Sequence, residues 1–388
     1  MPRCFVLSVL LVAACEPTPV EVRSPDQLTH TATVAPPVLS ASAESSSSSS
    51  LTVIPPKVDP TTPEQAVVAE PTKPRRLARG EDTPADKKLH EADDLFDAGS
   101  FKEAEAAYRK AMLLAPKDPA PIVGSVRSRL AKENVPVDVN SAPKSPILVA
   151  VVIELRKAIK LDPDYAQAHL ELGRALLVQG RVDDALVAIR RAIELDGSEA
   201  EAHSALGVGL VATGDLKNAV TALVKAADLE PKSAARHSNA GTALLASGNI
   251  LDAIKSYERA LRLAPNDPGT LSDLGTALLA SNDVEAALKH LNRAAVLAPD
   301  NAAIVSNLGY ALRMKGDLAA AEEKFLAAIK IDEKLVSAWV NLGSVQAIRG
   351  AFAEARKSLE HAKSLDATDP RGVATLAELD ELEKAKKP

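Results

Sequence analysis

With 388 residues, the chain is long enough for two or three ordinary domains or for one long repeat array. Hydrophobic residues reach 46% while aromatics are only 3%, so the apolar content is mostly Ala, Leu, Val and Ile, types that suit closely packed helices. A formal charge of −6 gives no electrostatic case for nucleic acid, which calls for a basic stripe. Both cysteines, Cys4 and Cys15, fall in the first fifteen residues, so a disulfide-stapled fold and a thiolate metal site are excluded for everything beyond them.

Arg3, the short apolar run from Cys4 to Val12, and then Ala13-Ala14-Cys15 have the layout of a secretory signal, too short to span a bilayer. The stretch resembles a bacterial lipobox. That resemblance implies that residues 1–14 are a signal peptide and that Cys15 receives a diacylglycerol and becomes the mature N-terminus. The next residue is Glu16, not the Asp that the lipoprotein sorting rule reads as a retention signal. The implied location is the cell envelope, anchored by lipid to the outer membrane and facing the periplasm.

Residues 16–84 hold 12 Pro, 9 Ser and 9 Thr, with no aromatic residue and a run of serines from Ser45 to Ser50. Such a segment buries too little apolar surface to offset the entropy of ordering it. Residues 15–84 are therefore expected to form a disordered linker, spanning roughly 45 Å as a flexible coil. Its basic cluster (Lys73, Arg75, Arg76, Arg79) is expected to be solvated.

After the linker the sequence repeats itself every 34 residues. Gly173, Gly207, Gly241, Gly275, Gly309 and Gly343 form one column. Ala185, Ala219, Ala253, Ala287, Ala321 and Ala355 form a second, and Ala192, Ala226, Ala260, Ala294, Ala328 and Ala362 a third. Each period holds two amphipathic helices. The glycine and first alanine are expected to let two helix backbones approach, and the second alanine to do the same against the next unit. Gly180, Gly214, Gly248, Gly316 and Gly350 end first helices, with Asn282 or Asp283 substituting in the unit that lacks this glycine. Pro231, Pro265 and Pro299 stop second helices.

These residues resemble the tetratricopeptide repeat, or TPR, whose period is 34 residues. The resemblance implies an all-α fold, a right-handed α-solenoid of about eight helix pairs plus a C-terminal capping helix. Two N-terminal repeats would occupy 85–165, the second degenerate, with Val126 at the small position and an insertion at 134–146. Six regular repeats follow over 166–369. A capping helix over 370–388 begins at Asp369-Pro370, with a stripe of Val373, Leu376, Leu379 and Leu382.

In this family first helices line a concave groove that binds extended peptides or partner helices. The frame then assigns to the groove Ser204, Ser238, Ser272 and Ser306 at the fifth position. Asn239, Asp273, Asn307 and Asn341 follow at the sixth, and Thr242, Thr276 and Tyr310 at the ninth. This ladder of small hydrogen-bonding groups suits a peptide backbone. The family's carboxylate clamp needs Lys and Asn at positions where this chain has neither. His169, His203 and His237 also recur every 34 residues. Helices pack about 10 Å apart, against about 2 Å for a Zn–N bond, so the column is expected to pack in the core and to hold no metal.

No catalytic pattern is present: Gly207-x-Gly209 lacks the lysine of a phosphate loop, and there is no His-Glu-x-x-His. The expectation is a non-enzymatic scaffold or adaptor without a cofactor beyond the lipid on Cys15. Its partners would be envelope proteins or peptide segments, in a pilus, secretion or cell-wall assembly. A cell-wall glycan or peptide receptor is the main alternative; an enzyme of unrecognised type is a remote one.

Overall fold

The structure is a computed structural model that describes residues 75–133 and 145–385. The signal sequence, Cys15, most of the linker and most of the 134–146 insertion lie outside the described residues.

Among the described residues there are 17 α-helices and no strand, each helix following the last in antiparallel pairs. The first helices of the pairs are α1 (Pro84–Asp97), α3 (Ala120–Glu133), α5 (Ala166–Val178), α7 (Ala200–Ala212), α9 (Ala234–Ala246), α11 (Pro268–Ala280), α13 (Ala302–Lys315) and α15 (Val336–Ile348). The second helices are α2 (Phe101–Leu114), α4 (Pro146–Leu161), α6 (Val182–Leu195), α8 (Leu216–Leu229), α10 (Ile250–Leu263), α12 (Val284–Leu297), α14 (Leu318–Ile331) and α16 (Phe352–Leu365). A last helix, α17 (Pro370–Ala385), follows the eighth pair. This is an all-α solenoid of helix pairs. The chain divides at Ala243/Leu244 into two compact units, an N-terminal unit whose described part is 75–243 and a C-terminal unit from 244 onward.

The glycine column works differently from the simple expectation. A Cβ on Gly173 would lie 2.3 Å from Ile189 Cγ1, one on Gly207 2.4 Å from Leu223 Cγ, and one on Gly275 2.5 Å from Leu291 Cγ. On Gly343 it would lie 2.6 Å from Leu359 Cγ. The room is therefore taken mainly by a large side chain from the second helix. Ile189, Leu223, Tyr257, Leu291, Phe325 and Leu359 form a fourth 34-residue column, each essentially without solvent exposure. Both alanine columns are buried throughout.

Turn chemistry follows the frame. Gly180, Gly214, Gly248, Gly316 and Gly350 have φ between 73° and 92°. In the repeat that lacks this glycine, Asn282 takes the left-handed conformation at φ 65°, while Asp283 caps α12 by accepting from Ala286 N–H at 3.1 Å. Asn tolerates this region because its short amide adds little crowding there.

The ends hold two departures. Residues 75–80, assigned from composition to the linker, run without helix against the first repeats, and Leu77 is only 3% exposed within the N-terminal core. Burying one leucine contributes about 1.5–3 kcal/mol, which offsets the ordering of one or two residues at about 1–2 kcal/mol each. At the other end Leu379 is buried and Leu376 packs on the last repeat, but Val373 is half exposed and leaves the expected stripe. Arg356 of α16 pairs with Asp380 and Glu383 of α17 at 2.6 and 2.9 Å, fixing the cap by charge as well as by apolar contact.

In the degenerate second repeat, Val126 is fully buried. The close approach there is made at Gly124, where a Cβ would sit 2.3 Å from Tyr108 Cε1 of α2.

Candidate functional site

First helices carry the polar residues that the repeat frame places in a groove, and the structure puts them in the seams. In the N-terminal unit Ser204, Asn239 and Thr242 are buried and Ser238 is partly so. In the C-terminal unit Ser272, Thr276, Ser306, Asn307, Tyr310 and Asn341 are buried, and Asp273 is partly so. Within the C-terminal unit one such pair meets across adjacent first helices. Asn307 Nδ2 donates to Ser272 Oγ at 3.1 Å, from α13 to α11, while the Thr276 hydroxyl turns back onto its own helix at Ser272 O.

In the N-terminal unit the dominant feature of this face is a chain of alternating charges that the sequence reading missed. Arg127 Nε donates to Glu171 at 2.6 Å and Nη2 to Gln167 at 2.6 Å. Glu171 also pairs with Arg174, which reaches Glu201 at 3.3 Å. Glu201 pairs in turn with Arg236 at 2.6 Å, and Arg236 Nε donates to Glu230 at 3.0 Å. Burial works to raise the Glu171 carboxyl, but Arg174 and Arg127 more than offset it and hold it below its ordinary range. The sequence signal was present as Arg at the ninth position of the second and third repeats (Arg127, Arg174), with Glu at the sixth of the third (Glu171). It does not stand out as a column, because the ninth position carries Thr242, Thr276 and Tyr310 in later repeats and the Arg127–Glu171 and Arg174–Glu201 pairs run between repeats.

The same face holds residues 75–79. Arg127 Nη1 donates to Arg75 O at 2.9 Å. The N–H groups of Leu77 and Ala78 both donate to Asp93 Oδ2, at 2.8 and 2.9 Å, and that of Arg79 donates to Asp86 Oδ1 at 2.7 Å. Asp93 is 4% exposed and also accepts from Tyr108 Oη at 2.6 Å. The arginine side chains spread to acids on the rim: Arg75 to Asp196, Arg76 to Asp94, and Arg79 to Asp118 at 3.0 Å in a two-bond fork.

In the C-terminal unit the face lacks such charge pairs and is less satisfied. Arg313 is buried with no carboxylate: Nη1 donates to Ser344 Oγ at 3.2 Å, and Cζ lies 4.9 Å from the centre of the Tyr310 ring. Its Nε and Nη2, the hydroxyls of Ser306 and Ser337 and both amide atoms of Asn341 make no hydrogen bond among the described residues. Burial without a counter-charge lowers the Arg313 pKa. Burial, helped by Asp267, pushes the Asp273 carboxyl up to about 7.

The histidine column is neither a simple packing column nor a cluster. His169 Nε2 meets Pro163 O at 2.8 Å, His203 meets Gly197 O at 3.0 Å and His237 meets Pro231 O at 2.9 Å. At the same position in the last repeat, Trp339 Nε1 donates to Glu333 O at 2.9 Å. Each ring N–H thus staples the turn that enters its repeat, six residues back. The shared property of His and Trp is the ring N–H, which the sequence displayed. Among the described residues no group of His, Cys, Asp and Glu is placed to hold a metal ion, and no helix is long and apolar enough to cross a membrane.

Stacked helix pairs with their polar residues in first-helix seams define an α-helical repeat protein of the kind that binds other proteins. Family models described as tetratricopeptide repeat match residues 154–208, 204–268, 272–335 and 336–369, together more than half of the 388 residues. The chain belongs to the tetratricopeptide-repeat family, whose members are typically non-catalytic scaffolds. No curated protein matches it in sequence.

Among solved structures, the APC/C hetero-tetramer Cut9–Hcn1 is similar at 18% identity and a TM-score of 0.55, over 78% of this chain and 57% of that one. This chain thus spans little more than half that structure's length, and the likeness is one of fold. PilF of Pseudomonas aeruginosa is similar at 20% identity over 55% of this chain and 97% of its own, with a TM-score of 0.46. YrrB, described as a TPR protein with an unusual peptide-binding site, is 23% identical over 49% of this chain and 98% of its own, with a TM-score of 0.37.

Proposed function

We propose that the protein is a lipid-anchored scaffold of the bacterial envelope that binds extended segments of partner proteins along its first-helix faces. One observation carries the binding mode. Residues 75–79 lie on such a face with one carbonyl and three N–H groups taken by Arg127, Asp93 and Asp86. Contacts to backbone atoms are available to any extended chain, which is how a repeat surface recognises a peptide before side chains select it. The envelope address rests on the lipobox-like run ending at Cys15. Assembly of a pilus, secretion or cell-wall complex is the process that such an address and such a surface suit.

The test is partner capture. Residues 16–388 without the lipid are immobilised beside an Arg127→Met variant, shown to be folded by its circular dichroism, and exposed to envelope extract. Components of one envelope assembly held by the first and lost by the second support the reading. Retention of purified cell wall, sensitive to salt and with no protein held, would replace it with a glycan receptor. Metabolic labelling with a fatty-acid probe, lost in Cys15→Ser, checks the anchor.

A further inference from the structure

The segment at 75–79 does more than illustrate a binding mode; its contacts show what it contributes and what it leaves replaceable. Of its side chains, Leu77 alone is buried. Those of Arg75, Arg76 and Arg79 are 55%, 42% and 43% exposed and meet acids on the rim, pairs that contribute little at a surface. Apart from Arg76 Nε at 3.9 Å from Asp93, Arg76 Nη2 at 3.4 Å from His90 O and Ala78 packed at the core's edge, the remaining contacts use the segment's backbone atoms. Nothing in this set depends on the segment's being part of the same chain.

The receiving side is the built part. Asp93 is buried and, without the segment, keeps only the Tyr108 hydroxyl as a close donor. Arg127 is buried and held rigid by Glu171 and Gln167, so its third donor is aimed at the segment's carbonyl before the segment arrives. Asp94, Asp97, Asp118 and Asp196 make the rim acidic.

We propose that residues 75–79 are an exchangeable, intramolecular occupant of the face formed by α1, α3 and α5. In its place this face receives a partner's extended segment of the same chemistry: arginines flanking one leucine-sized residue, in the pattern Arg-Arg-Leu-Ala-Arg. This rests on the scaffold reading and adds selection to it. A tethered occupant competes at an effective concentration on the order of millimolar. Only partners that match the arginine–leucine pattern, or that bind a second surface as well, displace it.

The probe is a fluorescein-labelled peptide Arg-Arg-Leu-Ala-Arg-Gly, followed by anisotropy on the full chain. A Leu77→Asp chain, shown to be folded by its helical circular dichroism, binds it at least 10-fold more tightly than the parent, and a peptide with Asp at its third position binds neither. A folded Leu77→Asp chain that binds the peptide no better than the parent overturns the proposal.

Hydrogen exchange on the parent chain gives an answer even if the variant does not fold. The amides of Leu77 and Ala78 exchange faster than that of Tyr108 in α2, and faster again under excess peptide. If they exchange as slowly as Tyr108 and are unmoved by peptide, the segment is a fixed part of the first repeat and the proposal falls. Capture of envelope components would still stand in that case, so failure here is distinct from failure of the scaffold reading.

Discussion

The two units share one repeat frame and treat buried charge in opposite ways. On the N-terminal first helices, the three buried or largely buried arginines Arg127, Arg174 and Arg236 each meet at least one glutamate. On the C-terminal first helices, Arg313 meets a serine and a tyrosine ring, and the buried Asn341 amide makes no hydrogen bond among the described residues. A charge removed from water costs several kcal/mol unless a partner compensates it, so the N-terminal face is electrostatically complete and the C-terminal face is not. The frame of small and large apolar residues sets the helix stack. The polar positions inside that frame are free to vary, and they decide what each stretch of the face does.

The comparison breaks first at Glu171. Changing Glu171 to Gln leaves Arg127 and Arg174 with a neutral neighbour in a buried site, and the expected loss is about 3–5 kcal/mol. Urea unfolding of the variant reads it, and a loss below 1 kcal/mol would show that the charge chain is ornamental to stability. Gly275→Leu tests the frame that both units share. With a Cβ already 2.5 Å from Leu291 Cγ, overpacking costs about 1–3 kcal/mol or more. Replacing Leu291 by Ala in the same chain recovers part of it, which the double-mutant cycle measures.

Arg313→Met sharpens the contrast from the other side. Because no carboxylate compensates Arg313, the change stabilises the C-terminal unit by about 1 kcal/mol or more, whereas removing any of the paired arginines destabilises. A melting temperature that falls would mean that Arg313 is compensated in a way its contacts do not show.

Asp273 gives the pH dependence. Its folded pKa, about 7, lies above the ordinary value of about 3.9. The native state therefore binds the extra proton, and this group's contribution is fully present below about pH 4 and is lost as pH rises through about 7. Asp273→Asn raises the melting temperature at pH 8 and leaves it nearly unchanged at pH 4; equal shifts at both would sink the assignment. The smallest effect is expected at the turn staples. His237→Phe loses one ring N–H to the Pro231 carbonyl, about 0.5–1.5 kcal/mol by differential scanning calorimetry, while His237→Trp, copying Trp339, retains it.

Much of the fold was legible because a 34-residue repeat writes its packing into columns. Helix number, the turn glycines and the capping helix followed from residues that recur at fixed spacing, while of the two candidates Asn282 and Asp283 the structure assigns the left-handed turn to Asn282. The candidate site was less legible. The serine and asparagine columns were visible as polar residues on first helices, but whether such a residue faces a groove or a seam depends on how closely the next first helix approaches. The glycine column fixes only how a first helix meets its own second helix, where Ile189, Leu223 and their equivalents fill the space above each glycine.

The sequence by itself determined the helix pairs, their order and the core columns, because local propensity and a short repeating pattern suffice for neighbours in the chain. Only the tertiary structure decided which charges meet, from Arg127 to Glu171 across 44 residues, and that an arginine-rich end of a proline-rich stretch docks on Asp93. Those contacts join parts distant in sequence and of unlike pattern. Their energy arises from burial and hydrogen-bond geometry, which exist only once the helices have stacked.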